Sequence, residues 1–234
     1  MMNTVLLTSA YLAPVQYYTK LYSADFVVEE RHDHYVKQTY RNRCVIAGPN
    51  GPLALTIPVE SRPSPHTPTC DVRISDHGNW RHLHWQALVS AYEGSPFFEY
   101  YADDIRPFYE RRFDFLVDFN EGLQRTVCGW LDLKTPVKPT EAYLDATAET
   151  VAAFVSSAAA TGQTVTAAGL TVADLRETIR PKRPYADDAA FEAVPYWQVF
   201  ASRLDFLPNL SIVDLLFNVG PEARLVLRDS CSAG

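Results

Sequence analysis

The sequence predicts an α/β protein, with α+β as the alternative arrangement: an N-terminal mixed sheet with flanking helices and a mostly helical C-terminal part. Three observations carry this expectation. A short apolar run over residues 4–10 leads straight into a helical stripe; two strand-like segments flank a turn signal at 48–52; and from residue 79 the apolar residues recur at spacings of three and four.

Pro14 suits the first turn of a helix, and Pro14, Tyr17, Tyr18 and Leu21 then fall on one face. Phe26-Val27-Val28 reads as a buried strand. Residues 44–47 and 53–59 read as the arms of a hairpin around Gly48-Pro-Asn-Gly-Pro52. Pro63, Pro65 and Pro68 exclude a helix or central strand and predict an ordered loop, a lid or a connector, before a strand at 71–74. Trp85, Leu88, Val89 and Tyr92 then mark a helix stopped by Gly94-Ser-Pro96, and two more helices are expected over 97–112 and 115–131. Residues 135–140 read as a linker. Residues 146–173, rich in Ala, Thr, Ser and Val with Gly162 and Gly169, read as packing material, and Ser211 stands where it could cap a helix bearing Ile212, Leu215 and Leu216 that packs back on the N-terminal part.

A chain of 234 residues that is 47% hydrophobic can bury a sizeable core, and it reads as a single domain over 1–234, subdivided into a strand-rich part (1–76) and a helical part (77–234). Every long apolar run is interrupted by proline or charge, so no membrane span is expected. The opening lacks a basic segment of the signal-peptide kind, and the four cysteines form no C-x-x-C pair; a cytoplasmic protein with reduced thiols is the expectation. The net charge of −7 argues against coating duplex nucleic acid. Against that background, residues 31–90 hold seven basic and four acidic residues and all six histidines. This is where an anionic ligand would be sought, although a solvated basic face would have the same composition.

Within that stretch Lys37, Arg41 and Arg43, with Gln38, Thr39, Tyr40 and Asn42, form the densest cluster of polar donors. Lys37 and Arg41 would share a helical face; Arg41 and Arg43 would share one side of a strand. Arginine forks grip phosphate or carboxylate in two-point fashion, so this cluster is a candidate anion site, with a patch of surface salt bridges as the competing reading. His77 and His84 lie two turns apart on one helical face and are the candidate general bases, although core-edge histidines occupy such positions too. His82 and His84 are about 200° apart on a regular helix and could not chelate one ion. His32 and His34 could face one side of a strand, but no third ligand is apparent, so no metal is assigned and no cofactor is identified. Glycine-rich phosphate loops, a nucleophile elbow and the zincin motif are absent. Cys44 heads an apolar strand and reads as buried rather than nucleophilic.

Five segments together suggest a family: Tyr11-Leu-Ala-Pro-Val-Gln-Tyr-Tyr18, His34-Tyr-Val-Lys-Gln-Thr-Tyr-Arg-Asn-Arg-Cys44, Leu55-Thr-Ile-Pro-Val59, Ser95-Pro-Phe-Phe-Glu-Tyr100 and Ser211-Ile-Val-Asp-Leu-Leu-Phe-Asn-Val-Gly-Pro221. Over nearly its whole length, least across 140–190, the chain resembles the WbqC-like family of bacterial proteins. The family's Lys-x-x-x-x-Asn-Arg signature maps onto Lys37, Asn42 and Arg43, and its opening aromatic-x-x-Pro element onto Tyr11 and Pro14. The resemblance carries over no catalytic residues. It implies an association with O-antigen and other surface-polysaccharide synthesis, and a transferase of glycyl, other aminoacyl or acyl groups to a sugar or sugar nucleotide. On that reading Tyr11, Gln16, Lys37, Arg41, Asn42 and Arg43 hold an anionic small-molecule substrate, a sugar nucleotide or activated acyl donor, and His77 or His84 is the base. The expected pocket lies where 11–18, 37–43 and 77–84 converge. Two alternatives stand beside it: a nucleotide-binding or anionic-ligand-binding protein without catalysis, and a nucleotidylyltransferase-like enzyme. In the latter, Gln16 and Tyr17 occupy the places where that fold's phosphate-binding histidines would be. A base beside an anion site would favour an enzyme; a flat face of Tyr100, Tyr101 and Tyr109 would favour a binder.

Overall fold

The structure is a computed structural model that describes residues 1–60, 66–158 and 164–231. Pro63, Pro65 and Gly162 lie outside the described residues. Four parallel strands form the main sheet: β1 (Met2–Thr8), β2 (Phe26–Glu30), β5 (Val137–Pro139) and β6 (Leu170–Asp174), in the order β5-β2-β1-β6. The register runs Thr4↔Phe26 to Thr8↔Glu30, Met2↔Leu170 to Leu6↔Asp174, and Val27↔Val137 to Glu29↔Pro139. A separate antiparallel hairpin, β3 (Arg43–Gly48) and β4 (Gly51–Thr56), turns at Pro49-Asn50. Gly51 takes φ 119° there, a conformation in which a side chain would be strained.

The parallel sheet is covered on both faces, which is why its two central strands read as almost continuous apolar runs instead of alternating ones. Alternate residues serve two cores. Val5, Leu7 and Val27 join the larger one, with α1 (Val15–Ser23), α2 (Trp80–Tyr92), α3 (Phe98–Glu110), α4 (Leu116–Trp130) and α6 (Ile212–Val219). Leu6, Phe26 and Val28 join a smaller one with Val151, Ala152 and Val155 of α5 (Ala148–Ala158). Each such side chain contributes about 1.5–3 kcal/mol on full burial, so a one-residue slip of β2 would exchange the two cores' partners.

The helix expected after Ser211 is α6, and it does pack back on the N-terminal part. Val15 N–H donates to Leu210 O (3.0 Å), Ile212 N–H to Ala13 O (2.9 Å) and Ser211 N–H to Val45 O (2.7 Å). The Ser211 hydroxyl, however, donates to Leu12 O (2.7 Å) and caps nothing; it ties two loops together instead. After α6, Gly220 takes φ 60° beside the Phe97 ring, where an added Cβ would lie 2.5 Å from a ring carbon, and the chain then enters α7 (Ala223–Asp229).

The expected α/β class holds: parallel strands flanked by helices, with an antiparallel pair that forms its own sheet. The main sheet also draws strands from beyond residue 76, since β5 and β6 come from the later half of the chain. The supposed linker at 135–140 contains β5, whose proline sits on an edge strand, the sheet position that tolerates a missing N–H. Conversely, 71–74 forms no ladder. It makes single bridges, Val59↔Ile74 and Arg73↔Phe115.

Candidate functional site

Ligands of open parallel sheets bind beyond the carboxyl ends of the strands. Here β2 ends in Glu29 and Glu30, followed by Arg31, and both carboxylates are buried. Glu29 points to the α4 side. Its Oε1 accepts from Arg31 Nε at 2.6 Å, and Arg31 reaches on to Glu121 on α4 at 3.0 Å. Between α4 and edge strand β5 lies a cavity of about 310 Å³ whose lining includes Glu29, Arg31, Glu121, Gln124, Arg125 and Lys138. Burial pushes the Glu29 carboxyl above its usual range, and the Arg31 guanidinium offsets this only in part. The Arg31 guanidinium itself stays charged, its affinity for the proton raised by the two carboxylates against the opposing effect of burial. Gln124 is fixed at the back of the cavity by donating to the Tyr17 hydroxyl (3.1 Å), which donates in turn to Thr8 O (3.0 Å) at the end of β1. Cys128 also lines the cavity, but burial holds its thiol protonated, up to about 12. The arrangement offers a proton acceptor above its normal range next to the held Arg31, with Arg125, paired to Glu121, and Lys138 exposed at the rim.

Glu30, one residue on, points to the α5 side and is enclosed. Oε1 accepts from His32 N–H (2.7 Å) and the Thr140 hydroxyl (3.0 Å), Oε2 from Leu144 N–H (2.8 Å), and Arg176 stands 3.6 Å away.

The structure places the sequence-derived candidates as follows. Tyr11 and His84 meet, with the Tyr11 hydroxyl 3.0 Å from His84 Nδ1 and 2.7 Å from the Tyr109 hydroxyl. The Tyr11 hydroxyl thus bridges the His84 ring and the Tyr109 hydroxyl inside the core. Burial holds His84 neutral, its pKa lowered to about 4. His77 is exposed, on a short turn before α2. Gln16 is buried, donating to Asp188 (2.9 Å) and accepting from Asn209 (3.2 Å). Lys37 is exposed, and residues 37–42 form turns, neither helix nor strand. Arg41 is buried and paired with Asp33, the competing salt-bridge reading moved from the surface to the interior. Asn42 is buried and donates to Ile57 O (2.8 Å), and Arg43 lies half-buried against the Thr56 hydroxyl (3.1 Å). The three clusters therefore do not open on one pocket: Tyr11, His84, Gln16, Arg41 and Asn42 face inward, Lys37 and His77 outward, and none of them lines the Glu29 cavity.

Glu29 and Arg31 were not singled out by sequence reasoning. The available signal was an apolar run, Phe26-Val27-Val28, that ends abruptly in Glu-Glu-Arg, which marks the carboxyl end of a buried strand. No cluster of three or more His, Cys, Asp or Glu suited to a metal occurs among the described residues. No helix among them is long and apolar enough to cross a membrane.

The model of the family described as "WbqC-like protein family" matches residues 9–226. The chain is 29% identical over 207 residues to "Uncharacterized protein Rv1507c" of Mycobacterium tuberculosis, covering 83% of this chain and 84% of that one. No solved structure matches.

Proposed function

The chain belongs to the WbqC-like protein family, and from that premise we propose that it is a transferase that moves an aminoacyl (glycyl) or other acyl group from an activated, anionic donor to a sugar or sugar nucleotide in surface-polysaccharide synthesis, working in the cytoplasm. One observation carries the reading: the buried Glu29 carboxyl, held above its usual range, opens on a cavity lined by Arg31, Arg125 and Lys138. That is a base beside an anion site. An acceptor amine or hydroxyl attacking the acyl carbon must lose a proton, and Glu29 is the group placed to take it and return it to the leaving group. A bond forms from the acceptor nitrogen or oxygen to the acyl carbon, and the bond from that carbon to the anionic leaving group breaks. The cations offset the charge that develops on the leaving group and the acyl oxygen. Tyr11, Arg41, Asn42 and His84 support the loops behind the sheet rather than touch the substrate on this reading.

The nucleotidylyltransferase alternative has less support, because Gln16 and Tyr17 spend their polar atoms inside the core. The test is incubation of the purified protein with activated acyl or aminoacyl donors and amino-sugar nucleotides, with product masses read by mass spectrometry. Glu29→Gln should lower turnover about 10²- to 10⁴-fold while changing donor affinity little. Donor binding without product in the native protein would instead leave an anionic-ligand-binding protein.

A further inference from the structure

A second cavity, of about 520 Å³, lies between α2 and α3 and shares no lining residue with the Glu29 cavity. Trp85 and Tyr109 give it an aromatic wall, their ring centres 6.1 Å apart. Arg81, Arg106 and Arg112 give it cations. Carboxylates on the rim fix these arginines without using up their donors. Asp76 bridges two of them, taking Arg81 Nη1 at 2.6 Å and Arg112 Nη2 at 3.2 Å, and Glu110 takes Arg106 Nε at 2.7 Å. A guanidinium has five N–H donors, and these contacts occupy few of the fifteen that three arginines supply. The Arg81 Nε is buried with no hydrogen-bond partner among the described residues.

The floor is rigid. The Tyr109 hydroxyl is held by Tyr11, which is bonded to His84, so the ring cannot swing away from the cavity. Trp85 is stacked on Phe98, with ring centres 6.1 Å apart. The volume falls within the range of small-molecule sites, and the combination of a fixed aromatic wall with several spare guanidinium donors suits a ligand carrying both a flat ring and phosphate.

We propose that this cavity is a binding site for a nucleoside diphosphate, with the base against Trp85 and Tyr109 and the phosphates on Arg106, Arg112 and Arg81. The site is separate from the Glu29 cavity and does not depend on the chemistry assigned there. The three arginines exceed Asp76 and Glu110 by only one charge, which suits a single short anion better than the many phosphate contacts of a nucleic-acid strand.

The test is calorimetric titration of the full chain with ADP, adenosine, inorganic pyrophosphate and a short single-stranded oligonucleotide, with tryptophan fluorescence recorded in parallel. ADP should bind at least about tenfold more tightly than adenosine or pyrophosphate and quench Trp85. Arg106→Ala and Arg112→Ala, both at exposed positions, should each weaken ADP about tenfold or more. Glu29→Gln should leave ADP affinity unchanged. Pyrophosphate or the oligonucleotide binding as tightly as ADP, or ADP binding indifferent to both arginine variants, would overturn the assignment.

Discussion

Glu29 and Glu30 are adjacent, identical in type and equally removed from water, yet they sit in opposite circumstances. Glu30 is enclosed by two backbone N–H groups, a hydroxyl and Arg176, with both oxygens occupied. Glu29 has Arg31 on one oxygen and a cavity beside it, and burial leaves its carboxyl reluctant to ionise. The sheet is responsible for the difference. Successive strand residues point to opposite faces, so one glutamate meets the packed α5 side and the other the open groove between α4 and β5. Burial alone therefore does not mark a site; burial with a partner missing does.

The largest effect should come from the enclosed partner. Glu30→Ala leaves three donors, His32 N–H, Leu144 N–H and the Thr140 hydroxyl, unmatched in a dry setting while Arg176 keeps Asp174, and about 3–5 kcal/mol of stability should disappear in urea denaturation. Thr140→Val keeps the shape but removes a hydroxyl that donates to Glu30 and accepts from Arg31 N–H (3.1 Å); a loss of about 1–3 kcal/mol is expected. Glu29→Gln should do the opposite and leave the melting temperature at neutral pH unchanged or higher, because it removes a charge that is expensive to bury. The sign follows from linkage. Glu29 holds its proton more tightly folded than unfolded, so its contribution is complete below the unfolded pKa and is lost as pH rises through the folded one. The advantage of Glu29→Gln over the native chain should thus grow with pH across that interval.

Histidine 84 sets the acid limb against which these differences are read. Its folded pKa of about 4 lies below the ordinary 6.5, so its contribution is complete above the latter and is lost as pH falls toward the former. In melts from pH 7 to pH 4, His84→Gln should start lower, having lost the bond to Tyr11, and decline less steeply.

Legibility in the sequence followed the same contrast between local and distant causes. The hairpin around Gly51, the stripes of α2, α3 and α4, and the return of α6 to the N-terminal part rest on turn chemistry and periodicity, which a short window contains. Strands β5 and β6 are three and five residues long, lie in segments of weak pattern, and are strands only because β2 and β1 offer them an edge. For the site, the donor-rich character of residues 37–43 was visible, but its direction was not: Arg41 turns inward to Asp33 across a loop. Tyr11 and His84 do come together, 73 residues apart, as a neutral buried pair. Glu29 escaped notice because only the α4–β5 groove, built from residues about a hundred positions later, distinguishes it from Glu30.

Whether Glu29 is a carboxyl poised to exchange a proton at an open cavity can be read from its side-chain carboxyl carbon by NMR as pH is varied in the native protein, with Glu29→Gln identifying the signal. A midpoint clearly above the ordinary value of 4.5 is expected. A midpoint at or below that value would mean that Arg31 simply holds Glu29 as a permanent anion, and the base assigned here would be a structural ion pair.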